Sequence, residues 1–181
     1  EGLPTLPLPT LAAAPGAPDT LLAGTAYFEN LIVTTSNPGR YDGNLQLSTN
    51  GGQTWQVVSE MVPAVTAVAF SPNFVNDETA FAAAGTIGQH GFYSGGVYRS
   101  TDGGQNWQQV FVDNRAIFGL AVSPDFANDQ TLWATAWTYS GSYGVYRSTN
   151  GGASWSSIAP SVAAYDLIVS PNYAGDQTLL A

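Results

Sequence analysis

Glycoside hydrolysis needs two carboxyl groups facing each other across a sugar bond. Four carboxylates fall in segments that could build such a site: Glu29, Asp42, Asp113 and Asp166. No spacing pairs them. His90 is the only histidine, flanked by Gly88, Gln89 and Gly91. One imidazole builds neither a His-based metal site nor a Ser–His–Asp triad by itself. The absence of Cys removes disulfides, thiolate metal sites and Cys nucleophiles together. No catalytic residue, metal site or cofactor is assigned on these grounds. The residues with the clearest binding chemistry are instead aromatic. Tyr41, His90, Phe92, Tyr93, Tyr139 and Tyr143 cluster in three short stretches, with Phe28, Asn37, Arg40 and Gln89 beside them. Aromatic faces next to amides and hydroxyls suit sugar rings or a peptide partner. The alternative is that these rings pack their own loops.

What positions these stretches is a repeat. Asn44-Leu-Gln-Leu-Ser-Thr-Asn-Gly-Gly-Gln-Thr-Trp55 returns as Gly96-Val-Tyr-Arg-Ser-Thr-Asp-Gly-Gly-Gln-Asn-Trp107 and as Gly144-Val-Tyr-Arg-Ser-Thr-Asn-Gly-Gly-Ala-Ser-Trp155. Ser48, Ser100 and Ser148 lie 52 and 48 residues apart. A second element keeps the same phase: Val68-Ala-Phe-Ser-Pro-Asn-Phe-Val-Asn-Asp-Glu-Thr79, Leu120-Ala-Val-Ser-Pro-Asp-Phe-Ala-Asn-Asp-Gln-Thr131 and Leu167-Ile-Val-Ser-Pro-Asn-Tyr-Ala-Gly-Asp-Gln-Thr178. A trace stands at Pro18-Asp-Thr-Leu-Leu-Ala-Gly24. A period of about 50 fits one four-stranded propeller blade.

The best-preserved unit shows the strands. Residues 116–123 are apolar and end at Pro124, residues 131–139 are aromatic and β-branched, residues 144–148 form a third strand, and residues 155–158 form a fourth beyond an Asn-Gly-Gly turn. No stretch carries the 3.6-residue period of a long helix, so the chain reads as all-β. In the Ser-Pro element, Pro fixes the exit from the first strand, the aromatic ring plugs the loop, and Asp77, Asp129 and Asp176 cap backbone amides.

The turn between third and fourth strands resembles the Asp-box, or bacterial neuraminidase repeat, Ser/Thr-x-Asp-x-Gly-x-x-Trp. Ser100, Asp102, Gly104 and Trp107 match it fully. Ser48, Asn50, Gly52 and Trp55, and Ser148, Asn150, Gly152 and Trp155, match with Asn in place of Asp. The resemblance implies a β-propeller, or an arc of one, with four-stranded antiparallel blades. It also implies that the boxes are structural and lie away from the working face. That face falls to the second-to-third-strand loops, roughly 28–43, 87–95 and 139–143, and to the connections between blades. Propellers of this kind include sialidases and other glycosidases, sortilin-like receptors and photosystem assembly factors. A sialidase needs three converging Arg and a Tyr nucleophile. Of the four Arg, Arg99 and Arg147 belong to the repeat frame, leaving Arg40 and Arg115, too few.

Composition narrows the partners. Charged residues are 9% of the 181-residue chain, with no Lys and a net charge of −9. That argues against a grip on nucleic acid and against polybasic attachment to a membrane. No apolar run is long enough to span a bilayer. Five Pro before residue 19 make residues 1–18 a semi-stiff lead or linker. The blades are expected over 19–181 as about three and a half repeats, the first unit lacking its innermost strand, the last holding it at 163–170. Three and a half blades do not close a ring. Further blades in a longer chain, or self-association, would complete it. The first functional expectation is an exported, extracytoplasmic binding or scaffolding module for a protein or polysaccharide partner. The alternatives are a fragment of a secreted glycoside hydrolase and a structural subunit of a cell-surface layer or filament.

Overall fold

Short alternating and aromatic-rich runs separated by Gly and Pro turns give fifteen strands among the described residues. The computed structural model of the protein describes residues 10–29, 40–61, 64–87, 93–112, 115–138 and 142–181. The first blade contains β1 (Thr10–Ala14), β2 (Ala17–Gly24), β4 (Arg40–Ser48) and β5 (Gln56–Met61), and β3 (Tyr27–Glu29) prolongs its central hairpin against the start of β4. The second runs β6 (Val65–Phe70), β7 (Ala80–Ile87), β8 (Tyr93–Ser100), β9 (Gln108–Val112). The third runs β10 (Arg115–Val122), β11 (Leu132–Thr138), β12 (Tyr143–Ser148), β13 (Ser156–Pro160). A fourth unit begins with β14 (Ile168–Val169) paired to β15 (Leu179–Leu180). All the pairings are antiparallel, and the third-blade strands fall within two residues of the expected ones.

Two expectations are corrected. The first unit does not lack its innermost strand. Thr10–Ala14 pairs with β2 through a tight turn at Pro15 and Gly16, the glycine at φ 75°. β1 lies beside β6, β6 beside β10 and β10 beside β14, as first strands do around a propeller axis. The prolines at 15 and 18 that suggested a stiff lead serve the turn and the entry to β2 instead, positions where a missing N–H costs little. The innermost strand of the last unit is strand only at 168–169, not over the whole of 163–170.

The Ser-Pro elements hold one turn of helix each: α1 (Phe74–Asp77), α2 (Phe126–Asp129) and α3 (Tyr173–Asp176). Four residues are too few to show a helical period. The expected capping role is seen in detail. Ser71 Oγ donates to Asp77 Oδ2 at 2.6 Å, and Asp77 Oδ1 accepts the Thr79 amide at 2.9 Å. Asp129 and Asp176 repeat both bonds. Each carboxylate thus ties the exit of a first strand to the entry of the second. Phe74 and Phe126 are buried, as plugs should be.

The core lies between blades. Leu22, Phe81 and Trp133 occupy one repeat position in the second strands, and all three are fully buried. Each packs on the helix aromatic of the following unit. Leu22 shares a cluster with Phe74, Phe81 meets Phe126 at 5.4 Å between centroids, and Trp133 meets Tyr173 at 4.6 Å. Leu180, at the same position in the fourth unit, is 62% exposed. The described sheets form an open arc, and among the described residues no helix is long and apolar enough to cross a membrane.

Candidate functional site

A blade has two ends. One carries the first-to-second and third-to-fourth connections, and the two repeated motifs meet there. In each Asp-box the first Ser hydroxyl donates to the Asx side chain and accepts the amide of the second Gly: Ser48 with Asn50 and Gly52, Ser100 with Asp102 and Gly104, Ser148 with Asn150 and Gly152. The Asx oxygen accepts the amide four residues on. Trp55, Trp107 and Trp155 each donate their indole N–H to the box glycine carbonyl at 2.9–3.0 Å. The Gly pairs sit at positive φ, between 66° and 96°, where other residues are strained.

The Asn-for-Asp changes are matched by their partners. Asn50 and Asn150 donate their side-chain N–H to the hydroxyls of Thr54 and Ser154, whereas Asp102 accepts from the Asn106 side chain. Donor faces acceptor in all three boxes. The backbone and side chain of Asn106, with Ser100, hold the Asp102 carboxyl down at about 2. The whole box then docks on its own blade: Gly103 N–H donates to Glu78 O at 3.0 Å and Gly151 N–H to Gln130 O at 2.9 Å. Glu78 and Gln130 are the left-handed residues closing α1 and α2. A groove of about 570 Å³ lies at this end, lined in part by Arg99, Asp102, Trp107 and Gly151. It is a seam between blades, since Arg99 Nη1 donates across it to Gly151 O at 3.2 Å. The perturbed carboxyl in it has its partners, and the chemistry there is that of a joint.

The other end carries the second-to-third-strand loops and the links between blades. Four rings gather there in the third blade. Phe118 sits in β10 at a bulge between Ile117 and Leu120, where the Gly119 amide donates to the buried Thr135 hydroxyl at 2.7 Å. The bulge re-aims the side chain beside it. Trp137 is the last residue but one of β11 and Tyr143 opens β12, directly opposite. Tyr165 comes from the link after β13. Trp137 stands 4.7 Å from Tyr165, 5.7 Å from Tyr143 and 5.8 Å from Phe118, centroid to centroid, and Phe118 stands 5.5 Å from Tyr165.

The link is pinned. The Trp137 indole donates to Ala164 O at 3.4 Å. Ser161, at φ 70°, donates its amide to Tyr143 O at 2.9 Å. A non-glycine residue held there costs strain that the surrounding bonds must offset. The result is a ring cluster with three half-buried members and one, Tyr165, 63% exposed.

Of the residues expected to bind, Tyr143 is in this cluster. Tyr41 pairs with Phe28 and Tyr93 with Ile87 across their hairpins, their side chains being outside the described part. His90, Phe92 and Tyr139 lie outside the described residues, as do Asn37, Gln89 and Asp113. The backbones of Glu29 and Asp42 pair with Arg40 and Tyr27. Asp166 is exposed and accepts the Leu167 amide at 2.8 Å. Phe118, Trp137 and Tyr165 were not among the expected binders, because all three stand in apolar runs expected as strands, Tyr165 within 163–170. The signal in the sequence is the departure from the repeat, since the second blade has Thr66 and Gly85 where the third has Phe118 and Trp137. Among the described residues no three His, Cys, Asp or Glu come together as metal ligands.

The BNR/Asp-box repeat family model matches residues 46–57 and 98–109, which hold the first two boxes. The third box makes the same bonds. No curated protein sequence matches the chain. Among solved structures, it is similar to an ancestral GH74 enzyme (TM-score 0.67, 24% identity, 94% of this chain, 23% of that one). It is also similar to an oligogalacturonate lyase in complex with manganese (TM-score 0.58, 11% identity, 90% and 44%). A third likeness is to the BP39L lectin from Burkholderia pseudomallei (TM-score 0.50, 15% identity, 86% and 41%). The chain thus spans less than half of each of these proteins, and the likeness is one of fold. The chain carries BNR/Asp-box repeats, built into four-stranded blades of β-propeller type.

Proposed function

We propose that this chain is an extracytoplasmic binding or scaffolding module that presents the loop end of its blades to a polysaccharide partner. The observation that carries the reading is the ring cluster of Phe118, Trp137, Tyr143 and Tyr165, set at the end of the third blade opposite the Asp-boxes. The low charge and the absence of Lys fit a partner recognised by ring faces and hydrogen bonds rather than by ion pairs. Likeness in fold to a lectin and to an enzyme of class GH74 fits a carbohydrate partner over a peptide. The test is cosedimentation with insoluble polysaccharides, together with an assay for released reducing ends. Binding without release is expected. Binding to none of a broad panel overturns the reading.

A second reading, part of a secreted glycoside hydrolase, is favoured by the fit of 94% of the chain onto 23% of the ancestral GH74 enzyme. Release of reducing ends in the same assay would select it.

A further inference from the structure

The repeat provides an internal control for the ring cluster. Phe118 and Tyr165 occupy one repeat position, two residues before Leu120 and Leu167, and in the second blade that position is Thr66. Trp137 corresponds to Gly85 and Tyr143 to Gly95, as the pairings Trp137 with Tyr143 and Gly85 with Gly95 show. In the first blade the position of Tyr143 is Gly43.

Those glycines are packed tight. A Cβ at Gly85 would stand 2.7 Å from both Ile117 N and O, and one at Gly95 would collide with Ala84 O. At Gly43 it would run into Thr25 O and stand 2.8 Å from Ala64 Cα. The neighbouring first strand therefore closes directly onto the first and second blades at this end. In the third blade the following link also runs close, since a Cβ at Gly119 would stand 2.9 Å from Asp166 Cα, but where the second blade has Gly85 it passes the Trp137 indole, which donates to Ala164 O at 3.4 Å. Where the second blade has Gly85 and Gly95, the third blade carries Trp137 and Tyr143, and these rings meet Phe118 and Tyr165 at its end.

We infer that this junction between the third blade and the link 161–167 is a stacking subsite for an uncharged pyranose unit of a polysaccharide chain, with Tyr165 as the exposed platform and Trp137 beneath it. The inference rests on the polysaccharide reading above and makes it specific. The flat face of a pyranose offers polarised C–H groups to the electron-rich face of an aromatic ring. Tyr165 is 63% exposed and is held by its neighbours rather than free to turn, with Trp137 at 4.7 Å and Phe118 at 5.5 Å. A fixed ring binds at lower entropic cost than a mobile one. The charges about the cluster disfavour a uronate. Asp166 is exposed beside Tyr165, the Arg115 guanidinium lies over the Tyr146 ring at 4.8 Å, and the chain carries −9 overall.

Affinity electrophoresis through gels holding hydroxyethyl cellulose, soluble xylan or polygalacturonate tests this on the whole chain. The neutral polysaccharides are expected to retard it and polygalacturonate not to. Tyr165→Ala should lose tenfold or more in affinity with its melting temperature unchanged, while Tyr165→Phe retains binding. Trp137→Phe keeps a ring in place and reports differently. It should abolish the change in tryptophan fluorescence on adding the neutral polysaccharide. Retardation of Tyr165→Ala equal to wild type would overturn the subsite and leave the polysaccharide reading standing. Stronger retardation by polygalacturonate would overturn the uncharged class. No retardation by any of them, with no cosedimentation, would overturn both.

Discussion

Phe81 in β7 stands edge-on to Phe126 in α2, ring centroids 5.4 Å apart and planes at 80°, across the seam between second and third blades. Both rings are essentially inaccessible to water. The second strand of one blade is thereby bolted to the helix of the next. Removing either ring should cost about 3–5 kcal/mol, the range for buried aromatics. Removing both should cost less than the sum by roughly 1 kcal/mol, as expected for an edge-to-face pair. Urea unfolding of the two single variants and the double variant measures this. Strict additivity would mean that the rings are buried side by side without coupling.

Trp133 fills the same repeat position as Phe81, yet its indole nitrogen has no hydrogen-bond partner among the described residues. A buried unpaired donor costs about 1–3 kcal/mol. Trp133→Phe removes that donor and leaves a ring to meet Tyr173. The two effects, lost volume and a relieved N–H, oppose each other. The expected net change is within about 1 kcal/mol, against about 3–5 kcal/mol for Trp133→Ala. Thermal melts of the two variants should separate clearly.

Asp102 is the one box residue that titrates. Its carboxyl is held at about 2 against an ordinary 3.8, chiefly by the Asn106 amide and side chain. A depressed value means that the charged form is favoured by the fold. The stabilisation is present above the unfolded value of 3.8 and is lost as pH falls toward 2. Asp102→Asn should fold, because Asn50 and Asn150 build the same turn. Its deficit relative to wild type should be full at pH 6 and nearly gone at pH 2. A deficit that stays constant over that interval would show that the Asn106 bonds do not depend on charge.

Two glycines separate space from strain. Gly95 has no room for a side chain, since its Cβ would meet Ala84 O and approach Arg115 O at 2.8 Å. Gly103 lies open to solvent space but at φ 74°. Gly95→Ala should cost about 1–3 kcal/mol by displacing β10. Gly103→Ala should cost about 1 kcal/mol through backbone strain alone. Chemical denaturation gives both values, and the reverse order would contradict the close approach at Gly95.

The repeat makes the architecture readable from the sequence. Two motifs at a fixed phase define blades, because the Ser, Asx, Gly and Trp of each box bond to one another within eight residues. The same locality made Asp77, Asp129 and Asp176 legible as caps. Legibility failed where the deciding contact is distant in sequence. Thr10–Ala14 becomes a strand because β2 on one side and β6 on the other cover it, and nothing in a proline-rich stretch announces those neighbours. The ring cluster is likewise assembled from residues 118, 137, 143 and 165, on three strands and a link. The sequence by itself determined the blade and its turns. Only the tertiary structure decided which rings meet, because Phe118, Trp137, Tyr143 and Tyr165 come within reach of one another only when strands far apart in sequence pair and the link after β13 folds back on them.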